Sequence, residues 1–296
     1  MDDTIYKNGR FIDASADSDA PFVYQYIRTD GHRALQMQRH MELLDAASWR
    51  IRRAPSGLDT GRTAAAVERL LVQNGYPDHG SHIVLLRSYG NSEYALSCHG
   101  TSIYDGLALR ALRPRATIVE SGGIFDGLPT SASLASARLL GEYAATQGCG
   151  AFVATDGAGR VVSVDGGTPV IISRGVITVS ESSMTVEAET VIKTFERDGR
   201  QMEIRDFSRS ELLAADELAG IDHRGITSVA ECDGTADSDI ILNVTAQRLG
   251  QISLRSLTTL RTLKSVFYHF FYKKYNPPPI RMLYICRKPT ANYNLS

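Results

Sequence analysis

Turn dipeptides punctuate this chain so regularly that they decide its fold class. Asn8-Gly9 separates Tyr6-Lys7 from Arg10-Phe11-Ile12, and Asp30-Gly31 ends the extended run Phe22–Arg28. Asp156-Gly157 lies between Ala151–Thr155 and Arg160–Val164, and Arg174-Gly175 joins Val170–Ser173 to Val176–Val179. Asn-Gly and Asp-Gly accept the positive φ angles of tight hairpins, so each marks two neighbouring antiparallel strands. Helical spacing appears between the hairpins, in residues 36–52 and 61–75 and in a helix opened by Leu128-Pro129-Thr130-Ser131 and stopped at Gly148. A further helix is predicted over Val186–Asp198, and Ser208-Arg209-Ser210-Glu211 is a capping box that opens another over Glu211–Leu218. Hairpins with intervening helices predict an α+β fold, not a doubly wound parallel sheet.

A chain of 296 residues buries a sizeable core and is long enough for two lobes. The expected division is an N-terminal α+β lobe over 1–120, a second lobe over 128–240, and a tail over 241–296. The net charge of −1 conceals an asymmetry. After Asp239 there is no acidic residue and there are nine basic ones, so residues 1–239 sum to −10. In the tail Leu254, Leu257, Leu260, Leu263, Phe267 and Phe270 recur at three- and four-residue spacing between Arg255, Arg261, Lys264 and Lys273. That spacing predicts an amphipathic helix over 251–275 with a basic face, ended by Pro277-Pro278-Pro279. Its expected role is packing on the body or on a twin subunit, with docking to an acidic partner or an anionic membrane surface as the functional alternative. The acidic body argues against nucleic acid. No run of about 18 apolar residues suggests a spanning helix. The four cysteines, Cys98, Cys149, Cys232 and Cys286, are widely separated, which predicts reduced thiols in a cytoplasmic protein.

The order of local words resembles the class IV aminotransferases, the pyridoxal-phosphate fold-type IV family of branched-chain and D-amino-acid aminotransferases and aminodeoxychorismate lyase. The carrying words are Asn8-Gly9, the strand Phe22–Arg28 with Asp30-Gly31, and His40-Met41-Glu42-Leu43-Leu44, which is similar to the family's His-x-x-Arg-Leu. Gly148 through Asp156-Gly157 follows, and then Leu212-Leu213-Ala214-Ala215-Asp216-Glu217 with Gly225-Ile226-Thr227-Ser228-Val229. The resemblance spans about residues 4–234 and implies a two-lobed fold-type IV architecture, here with a C-terminal amphipathic helical tail. It also implies a homodimer and a small-molecule site in the interlobe cleft.

The cofactor positions depart from that pattern. The family's chemistry needs a lysine for a Schiff base, and the matching position is Thr130. The six lysines are Lys7, Lys193, Lys264, Lys273, Lys274 and Lys288, so none lies between residues 7 and 193. The glutamate expected beside the pyridine nitrogen falls on Ser163, with Asp165 two residues on. The phosphate-holding positions fall on Leu43, on Thr185-Val186-Glu187 and on Asp222. Two of these are acidic, and a carboxylate about 4 Å from a phosphate repels it by roughly 1 kcal/mol per unit charge in water. The expectation is therefore a protein without bound cofactor, with Leu43, Thr185 and Glu187 as degenerate cofactor positions. It would be a small-molecule enzyme or a pseudoenzyme. The alternative is a working pyridoxal-phosphate aminotransferase or lyase acting on an amino acid or an amino-chorismate-like substrate. Candidate catalytic residues are Thr130, Ser163, Asp165, Asp222 and His223. Asp222-His223 would form an acid–base pair with Ser163 or Thr130, and His99 would face the same cleft. No metal-ligand spacing is present.

Overall fold

The computed structural model describes residues 4–17, 19–102, 113–123, 125 and 127–251. The predicted tail helix over 251–275 lies almost wholly outside the described residues. The described part belongs to one compact unit.

Residues 4–102 build a six-stranded antiparallel sheet. Its strands are β1 (Thr4–Lys7), β2 (Arg10–Asp13), β3 (Val23–Asp30), β4 (Arg33–Ala34), β5 (Ser81–Gly90) and β6 (Glu93–Ser102), in the order β2-β1-β6-β5-β3-β4. Asn8 and Gly9 take φ of 47° and 93°, the doubly left-handed turn that their residue types allow. Two helices, α1 (Met37–Arg52) and α2 (Thr60–Gln73), cover one face. Met37, Met41, Leu44 and Ala47 of α1 and Val67, Leu70 and Leu71 of α2 meet Ile27, Leu86 and Leu96 of the sheet. Asp59 caps α2, accepting the Arg62 N–H at 2.8 Å.

Two five-stranded sheets follow. One contains β7 (Arg115–Glu120), β8 (Ala151–Thr155), β9 (Val161–Val164), β15 (Glu231–Cys232) and β16 (Thr235–Ala236), in the order β16-β15-β7-β8-β9. The helix α3 (Ser131–Thr146) connects β7 to β8, which pair in parallel. The other contains β10 (Thr168–Ser173), β11 (Val176–Val179), β12 (Met202–Ile204), β13 (Glu217–Asp222) and β14 (Gly225–Ser228), in the order β12-β11-β10-β13-β14. Two helices, α4 (Val186–Arg197) and α6 (Ile240–Gln251), cover this sheet. Val191 and Phe195 of α4 and Leu242 and Ala246 of α6 join Ile172, Ile177 and Ile221. The sheets themselves meet through Val153, Val161 and Val164 on one side and Ile171 and Leu218 on the other. The mixed, mainly antiparallel arrangement is the α+β class expected from the turn dipeptides.

One predicted element is corrected. The helix expected over Glu211–Leu218 is a short α5 (Arg209–Leu213), and the next residues form β13, a central strand with all six residues buried. The capping box is present, since Ser208 Oγ accepts the Glu211 N–H and Glu211 accepts the Ser208 N–H. Tertiary pairing then overrides helical spacing: Asp216 accepts the Arg174 N–H at 2.6 Å, and Glu217 enters register with Ile172.

Candidate functional site

A cavity of about 430 Å³ opens where the three sheets converge. Its wall draws on β3, β6, α3, β9, the first turn of α4 and the β13–β14 hairpin. Strand alternation places Tyr24 and Tyr26 on one face of β3, and both rings line the cavity at 5.4 Å centroid separation, edge to face. Tyr26 stacks on His223 at 3.7 Å with 19° between the planes, and His99 of β6 lies 4.8 Å from Tyr26. Burial pushes the His223 imidazole down to about 3, so it is neutral at ordinary pH. His99 is shifted down as well, first by burial and then by Arg224 and Arg138. Burial raises both tyrosine hydroxyls.

The β13–β14 hairpin supplies the charged wall. Asp222 closes on Arg224 twice, accepting the backbone N–H at 2.7 Å and the Nε–H at 2.6 Å. Arg224 Nη2 reaches across to the Asp165 carbonyl at 2.8 Å and its carboxylate at 3.1 Å. One guanidinium therefore serves two carboxylates. Arg28 lies buried behind the hairpin and donates from Nη1 to the His223 carbonyl at 2.7 Å.

The helix α4 begins at the cavity. Thr185 is its N-cap and accepts the Ala188 N–H at 3.1 Å, while Thr168 Oγ accepts the Thr185 N–H at 3.1 Å. Glu187 sits in the first turn, 6% exposed, and lines the cavity. Burial lifts its carboxyl to about 7, opposed by a hydrogen bond from its own backbone N–H and by the charge of Arg28. A buried carboxyl that shares its proton near neutral pH is a chemically competent acid or base.

Five sequence candidates meet here: Ser163, Asp165, Glu187, Asp222 and His223 all line the cavity, with Leu43, Thr185 and His99. Thr130 does not line it. It is the N-cap of α3, accepting the Ser133 N–H at 3.1 Å while its own N–H donates to Ser133 Oγ at 2.9 Å. The expected Asp222–His223 acid–base pair is not formed as such, because Asp222 bonds Arg224 and His223 is held against Tyr26. Sequence reasoning missed Tyr24, Tyr26 and Arg224. The i, i+2 aromatic alternation in β3 was the available signal for the tyrosines. Neither described lysine lines the cavity: Lys7 pairs with Asp17 at 3.6 Å, and Lys193 is exposed on α4. Among the described residues no group of three His, Cys, Asp or Glu is placed to hold a metal.

No protein-family model and no curated protein matches the chain by sequence. Solved structures match its fold. A branched-chain aminotransferase from Thermoproteus uzoniensis, solved with norvaline, superposes with a TM-score of 0.69 at 19% identity, covering 85% of this chain and 95% of that one. The branched-chain amino acid aminotransferase of Escherichia coli gives 0.68 at 18% identity, covering 90% and 98%. A fold IV-transaminase from Curtobacterium pusillum gives 0.68 at 16% identity, covering 85% and 98%. The chain therefore has the fold of the branched-chain, fold-type IV aminotransferases, along nearly the whole length of those enzymes.

Proposed function

We propose that this protein takes a small-molecule ligand in the cavity without lysine-linked pyridoxal phosphate. It would act there as a cofactor-independent, specialised biosynthetic enzyme or as a binding pseudoenzyme. The observation that carries this reading is the cavity wall itself. A Schiff base needs a lysine amine within bonding reach, and among the described residues the wall presents hydroxyls, carboxylates, imidazoles and guanidinium groups instead. These residues do not fit a lysine-anchored cofactor. As an enzyme, the site would use Glu187 as the proton-transferring group, because its carboxyl is held near 7 against the cavity. Asp222 and Asp165 would hold Arg224 in place, and Tyr24 and Tyr26 would bound the ligand on the β3 side.

The fold likeness favours a second reading, a working pyridoxal-phosphate transaminase or lyase acting on an amino acid or an amino-chorismate-like substrate. One experiment separates the two. The purified protein is incubated with pyridoxal phosphate, scanned for near-ultraviolet and visible absorbance, reduced with borohydride and digested. The first reading expects no aldimine band and no labelled lysine. A stoichiometric label on any lysine would establish the second.

The cellular setting follows the same proposal. Cys149 and Cys232 are free thiols, which suits the reducing cytoplasm, and no helix among the described residues is long and apolar enough to cross a membrane. The exposed Leu139 and Tyr143 of α3 support pairing with a second copy of the chain. Sedimentation equilibrium at monomer mass, unchanged in Leu139→Asp, would remove that dimer.

A further inference from the structure

Two places at the cavity wall where backbone N–H groups could meet an anion carry carboxyl groups of the chain itself. The first is in the opening turn of α4, where an exposed N–H would attract an anion through its hydrogen bond and the helix dipole. There the Glu187 carboxyl occupies the first turn and lines the cavity. The flanking donors are taken, the Thr185 N–H by Thr168 Oγ at 3.1 Å and the Ala188 N–H by Thr185 Oγ at 3.1 Å. The second is the Arg224 N–H in the β13–β14 turn, which donates to Asp222 Oδ1 at 2.7 Å. Turn amides of this kind form small anion-binding concavities when they are open. Both Glu187 and Asp222 are buried, 6% and 8% exposed, and both line the same cavity.

The adjacent guanidinium is committed in the same way. Arg224 directs Nε to Asp222 and Nη2 to the Asp165 carboxylate and carbonyl. This wall therefore presents two carboxylates bound to one arginine and a third carboxyl, Glu187, in the first turn of α4, with Arg28 close enough to act on its charge. A phosphorylated ligand entering here would meet carboxylates where it needs donors. A ligand bearing an amine would find an acceptor in Glu187.

We infer that Glu187 and Asp222 are built-in carboxyl groups that close the cavity to phosphorylated ligands and select a non-phosphorylated small molecule carrying an amine. This rests on the proposed reading of the cavity as a lysine-free ligand site and names its ligand class. Of the other charged and titratable groups at the cavity, Asp165 is tied to Arg224, and His223 is neutral and stacked on Tyr26. Burial lowers His99, and Arg138 of α3 also lines the cavity, where its charge acts on Tyr26 and His99.

The test uses a matched pair of probes, pyridoxamine and pyridoxamine 5′-phosphate, which both carry an amine and differ by the phosphate alone. Dissociation constants are measured by calorimetry for the native full-length chain and for Glu187→Thr/Asp222→Thr, with circular dichroism as the check on folding. The native protein is expected to bind pyridoxamine at least tenfold more tightly than its phosphate. The double variant should lose that preference or reverse it. Where that variant does not fold, Glu187→Gln/Asp222→Asn keeps the side-chain shapes, replaces both carboxyl groups with amides and carries the same expectation. A native protein that prefers the phosphorylated probe, that binds neither probe, or whose preference survives in a folded variant overturns the inference. These results are independent of borohydride trapping. A native preference for the phosphate with no labelled lysine would sink this inference and leave the lysine-free reading standing.

Discussion

The Tyr26 ring lies flat on the His223 imidazole, centroids 3.7 Å apart, and so joins the first sheet to the β13–β14 hairpin at the centre of the cavity. Burial there holds the imidazole down to about 3. Its C–H proton resonances are therefore expected to stay at their neutral positions from pH 8 to pH 5. Tyr26→Ala lets water reach the ring, and its titration should move toward the ordinary histidine range near 6.5. An imidazole that titrated near 6.5 in the native protein would contradict the packing described.

His40 makes stability acid-sensitive. It is buried in α1, its Nδ1 lies 3.1 Å from Gln25 Oε1, and burial with the adjacent Arg39 charge lowers it to about 3. Its folded pKa is below its unfolded one, so the unfolded chain binds the extra proton. The associated stability is complete above about pH 6.5 and is lost as pH falls toward 3. The full effect is of the order of a few kcal/mol. Chemical denaturation at pH 7.5 and 5 should show the loss, and His40→Gln should flatten the curve. An equally steep curve in that variant would remove His40 as the cause.

Glu187 acts with the opposite sign. Its carboxyl is raised to about 7 by burial, so the folded state holds a proton that the unfolded chain releases above about 4.5. Stability from this group is complete below about pH 4.5 and is lost as pH rises through 7, by up to roughly 3 kcal/mol. Between pH 6 and 8, Glu187→Gln should therefore gain stability relative to the native chain as pH rises. Parallel pH curves over that range would refute the assignment.

The α6 start depends on Glu217, whose carboxylate accepts the Ile241 N–H at 2.9 Å and the Leu242 N–H at 3.1 Å. Glu217→Ala leaves two amides of the first turn without that partner, at a cost of about 1–3 kcal/mol. Hydrogen exchange should accelerate first in residues 240–251 and only weakly in β1–β6. Uniform acceleration would indicate a global rather than a capping role.

Gly220 is packed against the neighbouring sheet. A Cβ at this residue would lie 2.4 Å from the Val164 carbonyl oxygen, with no side-chain freedom to relieve the clash. Gly220→Ala should destabilise by about 1–3 kcal/mol or more and widen the contact between β13 and β9. A melting temperature within 1–2 °C of native would show that the backbone gives way cheaply.

Much of the fold was legible because it is written locally. Asn8-Gly9 specifies its hairpin through φ preference, Gly175 favours the turn that Asp216 helps to hold at Arg174, and Ser208 and Glu211 specify a helix start through two reciprocal hydrogen bonds. The missing lysine and the acids Glu187 and Asp222 are likewise properties of the chain order. The strand β13 was hidden because Glu217 and Leu218 continue the helical spacing from Glu211, and only pairing and burial between β10 and β14 make Glu217–Asp222 extended. Thr130 stands outside the cavity lining for a related reason: it caps α3, and its hydroxyl accepts the Ser133 N–H. The cavity belongs to the tertiary structure alone. Tyr26 and His223 are 197 positions apart in the sequence, and their contact, with the low imidazole pKa it brings, exists only once two sheets have packed and excluded water between them.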